Sequence, residues 1–209
     1  MRTWTEDHPK AAVMSRKRTE ILTAALDAFL EEGYAGSSVN RIAARAGVSI
    51  TTLYRHFQSK DDLFVAVMQQ ACRPAEAGEP DWLHLPPLEG LTRAGADLLR
   101  HTLGEQQLAL FRVAARDSPR FPELGRYYRE HVIGARVALF EHLMAGWPEE
   151  LSAKMDDPAR AAFVFQGLLH AGIFESALVG GPVPDEQAIV TRAGEAAQQF
   201  LTLAGFGHL

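Results

Sequence analysis

The stretch from residue 38 to residue 60 constrains this chain most, because it reads as two short helices separated by a tight turn. Ser38 is a suitable N-cap for the first helix, since its hydroxyl can accept a hydrogen bond from an unpaired backbone N–H. Gly47 ends that helix, because a residue without Cβ adopts the left-handed conformation at little cost. Ser49 can cap the second helix. The pattern predicts a helix-turn-helix, whose second helix has the length that fits a DNA major groove.

The second helix of this motif has an inner and an outer face. At roughly 100° per residue, Leu53 and Phe57 fall on one side and are expected to pack inward. The residues on the opposite side and on the flanks are Thr51, Thr52, Tyr54, Arg55 and His56. Such side chains can contact base edges and phosphates, so this outer face suits DNA. Ile50 lies on the inner side by angle, but it occupies the first turn, from which the helix N-terminus can reach a groove.

Another helix begins directly after the motif, which favours a DNA-binding N-terminal domain, here called the head. Ser59 is placed to cap this helix, and Asp61 and Asp62 suit the positive end of its dipole. Lys60 is expected to remain free at the helix start, beside any phosphate. If no helix followed the motif, a corner between two helices of an ordinary helical domain would explain the helix-turn-helix pattern equally well.

Many residues at fixed spacing match one known pattern. They are Ile21-Leu22-x-Ala24-Ala25-x-x-x-Phe29, Gly33-Tyr34, Ser38-Val39-x-x-Ile42-Ala43-x-x-Ala46-Gly47-Val48-Ser49 and Leu53-Tyr54-x-x-Phe57-x-Ser59-Lys60-x-x-Leu63-Phe64. Over residues 16–70 the chain thereby resembles the DNA-binding domain of the TetR (tetracycline-repressor-like) family of bacterial transcriptional regulators. Ile50 stands where family members often carry Lys or a small residue, which favours an apolar contact at this position.

Charge is distributed unevenly along the chain. The formal net charge is −5, but residues 10–60 carry eight Lys or Arg against four Asp or Glu, while residues 61–209 carry twelve against twenty. A basic head followed by an acidic remainder of the chain, here called the body, favours DNA binding at the head. The residues predicted to bind DNA are Arg18, Ser38, Arg45, Ser49, Ile50, Thr51, Thr52, Tyr54, Arg55, His56 and Lys60.

Domain boundaries follow from periodicity and composition. The predicted divisions are a flexible arm at residues 1–14, a helix-turn-helix DNA-binding domain at 15–60 and a ligand-binding and dimerisation domain at 61–209, with a linking helix at 60–73. The first helix is expected to run from about Ser15 to Glu32 and to stop at Gly33. Prolines and glycines interrupt regular structure from residue 74 to residue 87. Trp82 lies in this stretch and is expected to fold back on the body.

Every periodic segment after Leu88 is helical. The predicted fold is therefore all-α, with an N-terminal three-helix helix-turn-helix domain, a helical C-terminal domain and about nine helices. Asp157-Pro158 is a strong helix start, and Asp185 can cap the last helix. The predicted helices of the body run approximately over Leu88–Leu103, Leu108–Ala115, Glu123–Ala145, Asp157–Val179 and Asp185–Leu203.

The last two helices mix small and large residues and are apolar on more than one side. In the family that the chain resembles, two such helices pair with their copies in a four-helix dimer interface, which implies a homodimer. Two-fold pairing matches a palindromic operator, since a single helix-turn-helix binds weakly. The residues assigned to this interface are Phe165, Leu168, Leu169, Gly172, Ile189, Ala193, Ala196 and Phe200. Packing of both helices in the core of one chain is the alternative.

A further set of residues mixes aromatic rings with isolated polar groups on helices that should face one another. This composition suits a small, largely apolar ligand fixed by a few hydrogen bonds. The predicted ligand-binding residues are Phe111, Arg112, Tyr127, Tyr128, His131, Phe163, Gln166 and His170. For each of them, packing in the core is the alternative. Arg112 matters most if it points inward, because a buried guanidinium requires an anionic partner.

The sequence gives no support to several other classes of protein. Its one cysteine, Cys72, excludes an intrachain disulfide and fits a reducing, cytoplasmic compartment, and packing rather than redox chemistry is expected of it. The eight histidines form no tight ligand set, so no metal or other cofactor is expected. No apolar run approaches the roughly 18 residues of a membrane span, and residues 1–10 lack a signal core. No motif of a nucleophile, phosphate loop or dinucleotide site indicates an enzyme.

The resemblance implies a sequence-specific transcriptional regulator with double-stranded DNA, a second copy of itself and a small-molecule effector as partners. The expected mechanism is repression at an operator, ended when the effector moves the linking helix and separates the two heads. A ligand-responsive activator is one alternative. A small helical ligand carrier or enzyme, in which the head serves packing only, is an alternative of a different class.

Overall fold

The computed structural model describes residues 9–71, 79–152 and 155–205. Within these ranges all regular structure is helical and no strand is present, which confirms the predicted all-α fold. The chain divides into two compact units, one made of Met1–Arg73 and Ala109–Arg129, the other of Pro74–Leu108 and Glu130–Leu209. The segment 109–129 therefore packs with the N-terminal unit, whereas the predicted division placed it in the C-terminal domain.

Helices of very different length make up the described chain. In chain order the α-helices are α1 Pro9–Gly36, α2 Val39–Arg45, α3 Ile50–His56, α4 Lys60–Ala71, α5 Pro87–Thr102, α6 Glu105–Asp117, α7 Pro122–Tyr127, α8 Gly134–Ala145, α9 Glu149–Ser152, α10 Pro158–His170, α11 Ile173–Leu178 and α12 Glu186–Leu203. A 3₁₀ turn at Asp81–His84 precedes α5, and a π-helical turn at Tyr128–Ile133 separates α7 from α8.

The first helix is longer than the sequence pattern indicated. It begins at Pro9, so the predicted start near Ser15 is wrong and residues 9–14 of the predicted arm are helical. The rest of that arm, residues 1–8, lies outside the described residues, as does Cys72. Gly33 interrupts the helix as predicted, because its φ of 75° and ψ of 175° are not helical.

Aromatic and aliphatic side chains build the core of the first unit. Phe29 of α1 meets Phe64 of α4 edge-on, with 5.1 Å between the ring centroids. Leu53 and Phe57 are fully buried, which confirms the predicted inner face of α3. Ile42 is buried on α2 in the same way. The motif therefore presents one apolar side to its own unit and leaves the other side of α3 to solvent.

Two helices that the sequence pattern predicts to be continuous are interrupted. The predicted helix from Glu123 to Ala145 contains the π-helical turn, and the predicted helix from Asp157 to Val179 breaks at Gly172, where φ is 80°. Arg192 of α12 supports this break, because its guanidinium donates to the last carbonyls of α10, 2.6 Å from the oxygen of Leu168. These two interruptions and the short helix α9, which was not predicted, account for twelve α-helices in the described ranges instead of the nine or so predicted.

The predicted helix N-caps were more accurate than the predicted helix lengths. Asp157 accepts a hydrogen bond from the Arg160 N–H at 2.9 Å, and Asp185 accepts one from the Ala188 N–H at 2.8 Å, which confirms both predicted N-caps. Trp82 is buried in the second unit and donates from Nε1 to Asp97 at 2.9 Å. The expectation that it folds back on the body is therefore confirmed.

The core of the second unit lies between α5, α8, α10 and α12. Phe165 of α10 occupies its centre, with its ring 5.0 Å from that of Phe140 and 5.5 Å from that of Phe200. Gly95 of α5 permits the close approach of α10, because a Cβ at this position would lie 2.8 Å from Cδ2 of Leu169. One apolar face of α10 and one of α12 are thus covered by their own chain.

We expect Gly47→Ala to lower the free energy of unfolding by about 1 kcal/mol, the cost of placing a Cβ at positive φ. Gly47 has a φ of 64°, and a Cβ there would meet nothing within 4 Å, so the effect is one of backbone strain alone. Urea denaturation followed by circular dichroism measures it. Gly36→Ala is the matched control, since its Cβ would make only an ordinary 3.6 Å contact with Glu32. Equal stability of the two variants would contradict the expectation.

Candidate nucleic-acid interface

Helix α3 is held by a cap, a turn and two buried anchors. The Ser49 hydroxyl accepts from the Thr52 N–H at 3.1 Å, which confirms the predicted N-cap. Before it, Gly47 takes its left-handed conformation, and the Val48 N–H donates to the Ala43 carbonyl at 3.0 Å to close the end of α2. These bonds satisfy backbone groups that the ends of two short helices would otherwise leave open.

The outer face of α3 is polar and accessible. Thr51, Tyr54 and Arg55 are exposed, with Tyr54 at 49% of its full accessibility. Ile50, Thr52 and His56 are half-buried along the flanks. The orientation predicted from helical periodicity is therefore confirmed, and the side chains available for a groove are two hydroxyl groups and a guanidinium. That these groups contact DNA stays a prediction.

Positive charge concentrates where α1 passes the end of α3. The guanidinium of Arg18 lies over the Phe57 ring, 4.5 Å from its centroid. Burial lowers the pKa of His56, and the nearby charges of Arg18, Arg55 and Lys17 lower it further. His56 thus reports a local positive potential, which is what a DNA phosphate requires.

Arg45, also among the predicted DNA-binding residues, carries a charge that is already paired. Its Nη2 donates to Glu31 at 2.8 Å, and this hydrogen bond lowers the pKa of the Glu31 carboxyl. Arg41 is bound to Glu32 in the same manner. Both arginines project from α2 toward carboxylates of α1, so a phosphate would have to displace a carboxylate to reach them.

Lys60 is bonded within the first unit, and the expectation that it remains free is wrong. Its Nζ donates to the Ser37 carbonyl at 2.6 Å and lies 4.6 Å from the centroid of the Tyr34 ring. Burial lowers its pKa. Ser38 also departs from expectation: it occupies the N-cap position of α2, but its hydroxyl makes no capping bond.

Asp117, at the end of α6, binds the segment between α1 and α2. Its Oδ2 accepts from the Tyr34 N–H at 2.7 Å and from the Ala35 N–H at 3.4 Å. Arg116 donates to the same carboxylate at 3.1 Å and, with these N–H groups, lowers its pKa. The contact exists because the non-helical Gly33 leaves the following N–H groups without helical acceptors. We call Asp117, Arg116, Gly33, Tyr34 and Lys60 the Asp117 junction.

The Tyr34 ring fills the same junction from the other side. It packs edge-on against Phe121 at 4.8 Å and against Phe64 at 5.3 Å. Its hydroxyl donates to Asp61, and burial together with this bond raises the pKa of Tyr34. Sequence reasoning treated residues 117–123 only as a connector and missed these contacts. The one available signal was Gly33, since a helix broken by glycine needs acceptors from elsewhere.

Two protein-family models match the chain over these elements. Residues 21–67 match the model of the bacterial regulatory proteins of the tetR family. Residues 89–204, which are more than half of the chain, match the C-terminal domain of AefR-like transcriptional repressors. The chain belongs to the TetR family of transcriptional regulators.

Individual members of the TetR family are similar in sequence and in structure. The chain is 34% identical over 95 residues to the HTH-type transcriptional regulator RutR of Escherichia coli K12. The matched region covers 44% of this chain and 45% of RutR, which is less than half of each. A TetR-family protein from Mesorhizobium loti has a similar structure with a TM-score of 0.74, 25% identity and coverage of 91% and 97% of the two chains. The flavonoid-responsive regulator FrrA gives a TM-score of 0.68, 29% identity and coverage of 90% and 97%.

The predicted ligand-binding residues of this TetR-family chain fall into both units. In the first unit, Phe111 packs edge-on against Tyr128 at 5.4 Å, and Tyr127 is buried. Arg112 is exposed, so it does not supply the inward-pointing guanidinium that would have made it decisive. The ligand role of this group stays a prediction.

The other four residues that were predicted to bind a ligand belong to the second unit. Gln166 is only 8% exposed, and the His170 ring bonds to its backbone carbonyl. His131 is exposed, and Phe163 is 54% exposed. Only Gln166 and His170 among these four therefore lie together in the interior.

Most of the residues assigned to the dimer interface are covered by their own chain. Those buried in the core of the second unit are Phe165, Leu169, Ile189, Ala193, Ala196 and Phe200. Leu168 is half-buried and Gly172 is exposed. A partner would have to meet other residues of the same helices, since these six already pack against α5 and α8. Helical periodicity found the apolar faces of α10 and α12 but not which face is turned inward.

Neither a metal centre nor a membrane span is found among the described residues. No group of three or more His, Cys, Asp or Glu side chains lies close enough to hold a metal ion in the part of the chain that the structure covers. Among the helices described, none is both long enough and apolar enough to cross a membrane.

We expect Asp117→Asn to lower the free energy of unfolding by about 1–3 kcal/mol at pH 7, since hydrogen bonds to a buried charge are lost. The folded-state pKa of Asp117 is lowered, so its contribution is complete above the ordinary carboxyl pKa and disappears as the pH falls through the lower folded value. The difference between the two proteins should therefore shrink below about pH 4. Urea denaturation at several pH values measures it.

Glu105→Gln is the matched control for this experiment, because Glu105 is an exposed acid at the other end of α6. Its effect should be a few tenths of a kcal/mol, as for a charge near a helix end. If Asp117→Asn changed stability no more than this control, the carboxylate would not hold the junction.

Proposed function

We propose that the chain is a dimeric transcriptional repressor that binds a palindromic DNA operator and is released by a small, largely apolar ligand. The observation that carries the proposal is the outer face of α3, where Thr51, Tyr54 and Arg55 are exposed while Leu53 and Phe57 anchor the helix. The description of the C-terminal family model as that of a repressor favours repression over activation.

The DNA-binding surface in this proposal has three parts. The exposed residues of α3 enter the major groove, and Ser49 and Ile50 approach it from the first turn. Arg18 and Arg55 attract the flanking phosphates, in the same region where burial, and after it positive charge, lowers the pKa of His56. Because Arg45 is paired with Glu31, its charge contributes less unless that pair opens.

A second copy of the chain is proposed to cover the outer apolar side of α10 and α12. Phe163, Val164 and Val190 are 54%, 42% and 38% exposed, which is unusual for apolar side chains on helices that also supply a core. Gly167 lies between them, and a Cβ there would meet nothing within 4 Å, so a partner helix can approach closely. An exposed apolar face of this kind marks an interaction site.

Release by a ligand requires only that the ligand bind one arrangement of the heads better than the other. The Asp117 junction gives this step a physical route, because the end of α6 is bonded directly to the segment that precedes α2. A ligand that shifts α6 therefore shifts the helix-turn-helix. The name of FrrA, a flavonoid-responsive regulator, supports a mainly aromatic or apolar molecule as the effector class.

The alternative of a different class is a helical ligand carrier or enzyme in which the head serves packing alone. It predicts that exposed side chains of α3 have no effect on function. The two proposals therefore differ most at Tyr54 and Arg55, which contribute little to the core.

We expect Arg55→Gln to weaken operator binding at least tenfold and to reduce the slope of log K against log salt by about one, since one phosphate contact is lost. Tyr54→Phe, which removes one hydroxyl, should weaken binding about two- to tenfold with little change in slope. The measurement is fluorescence anisotropy on DNA from upstream of the protein's own gene, with scrambled DNA for comparison, across a salt series.

Arg93→Gln is the control for this series, because Arg93 is an exposed arginine of the second unit whose charge is paired with Glu89 at 2.7 Å. Lys60→Ala should lower stability rather than the salt slope, since Lys60 is bonded to the Ser37 carbonyl. If wild-type protein bound both DNAs equally and weakly, and Arg55→Gln behaved as Arg93→Gln, the carrier or enzyme alternative would be favoured.

We expect Val164→Glu to convert the dimer into monomers, because it places a charge on the proposed apolar contact. Sedimentation velocity at micromolar concentration measures the oligomeric state. Operator affinity should fall with it, since two linked heads bind far more tightly than one. Val13→Glu is the control for the oligomeric state, as Val13 is an exposed valine of α1 in the first unit. A Val164→Glu protein that remained dimeric would place the interface elsewhere.

A further inference from the structure

Arg136 of α8 carries a half-buried charge, and among the residues that the structure describes no carboxylate lies within ion-pair distance of it. Other arginines of the same unit are compensated: Arg93 lies 2.7 Å from Glu89, and Arg100 lies 2.6 Å from Asp97. A guanidinium that is partly withdrawn from water gains most from an anionic partner that can accept two parallel hydrogen bonds.

Two histidines lie within reach of this charge. Burial lowers the pKa of His101 at the end of α5, and Arg136 lowers it further. Burial also lowers the pKa of His170 at the end of α10, and Arg136 lowers it further, to about 4. Both imidazoles are therefore neutral at pH 7, and Arg136 remains the positive group of the cluster.

Hydrogen bonds hold the His170 ring in place. Its Nε2 lies 3.1 Å from the hydroxyl of the buried Thr102, which also lies 3.4 Å from the Leu99 carbonyl. The ring also donates to the Gln166 backbone carbonyl, which can only accept. This arrangement holds the imidazole in place beside Gln166.

Gln166 provides an unused donor in the same cluster. The residue is only 8% exposed, and its side-chain Nε2 has no hydrogen-bond partner in the described structure. Leaving a buried N–H group without an acceptor costs free energy. A bound group with acceptor oxygens would remove that cost, whereas a group with only donors would not.

The two other charged groups close to His170 are already bound to backbone. Glu175 accepts from the Gly172 N–H at 3.1 Å. Arg192 donates to the carbonyls of Leu168 and Leu169 at 2.6 and 3.2 Å. Arg192 is itself a cation, and no ion pair joins Glu175 to Arg136 in the part of the chain that the structure describes. The unmatched groups of the cluster are therefore one positive charge and one amide donor.

We propose that Arg136, Gln166 and His101 bind the carboxylate of an amphipathic organic acid, with the Thr102–His170 pair as a fixed wall of the site. The single unpaired guanidinium matches a single negative charge. The Phe174 ring, 5.2 Å from that of His170, and the half-buried Leu168 offer apolar surface to the rest of the molecule, which favours an organic acid over inorganic phosphate. That this acid is the effector rests on the proposed function.

The test uses two pairs of probes that differ only in charge, octanoate with octanamide and benzoate with benzamide. Isothermal titration calorimetry on the full chain should show at least one carboxylate binding at least tenfold more tightly than its amide. Arg136→Gln should remove this preference, because it replaces the guanidinium with a neutral amide. Arg93→Gln, the control at a paired arginine, should keep it. Thermal unfolding of both variants shows whether they are folded.

Histidine titration by NMR locates the bound acid. Binding should raise the pKa of both His101 and His170, since an anion next to Arg136 cancels the charge that lowers them; signals are assigned with His101→Gln and His170→Gln. Equal affinity for acids and amides, no binding of either acid at millimolar concentration, or binding that leaves both histidine pKa values unchanged would each overturn the site.

The same titrations separate this inference from the proposed function. If an acid binds at Arg136 but wild-type operator affinity does not change with it, the site stands and its role as effector site fails. If operator binding is tight and sequence-dependent while neither acid binds, the proposed repressor stands and the carboxylate site fails.

Discussion

The carboxylate of Asp117 is the contact on which the architecture of the first unit depends. It joins the end of α6 to backbone N–H groups of Tyr34 and Ala35, which lie 83 and 82 positions away in sequence. Gly33 interrupts the helix geometry directly before them, and these N–H groups donate to a carboxylate from outside the helix. The path from α1 to α2, and hence the position of the helix-turn-helix, is therefore set by a residue outside the motif. Together with the packing of the Tyr34 ring on Phe121, this bond joins residues 109–129 to the head.

The charges of the head have to be judged pair by pair. Residues 10–60 carry an excess of Lys and Arg, yet Arg41 and Arg45 are bound to carboxylates of α1 and Lys60 to a backbone carbonyl. The positive potential that remains is concentrated around His56, whose pKa is lowered by burial and then by the charges of Arg18, Arg55 and Lys17. Since these groups flank the outer face of α3, the positive potential is aligned with the groups that can read DNA. The net charge of residues 10–60 therefore overstates the number of available cations.

The features that could be predicted from the sequence depend on residues that lie close together in the chain. Caps such as Asp157 and Asp185 and the inner residues Leu53 and Phe57 depend on neighbours a few positions away, and these predictions were confirmed. The state of Lys60 and the role of Asp117 depend on contacts between distant segments, which periodicity does not contain. The same holds for Arg112 and Arg136: both are arginines on helices, and only packing decides that the first is exposed and the second half-buried.

Helix α10 shows why its two apolar sides could not be distinguished in advance. Phe165 and Leu169 fill the core because Gly95 of α5 lets α10 approach closely. The side of α10 that periodicity predicted to be an interface is therefore buried within the chain itself. Phe163 and Val164 are left outside, and Gln166 lies between the two sides with an unused donor. A ligand held by Gln166 would press on the same helix that a second copy of the chain is proposed to contact. Ligand binding and dimer geometry would then be coupled through α10 itself, without a separate relay.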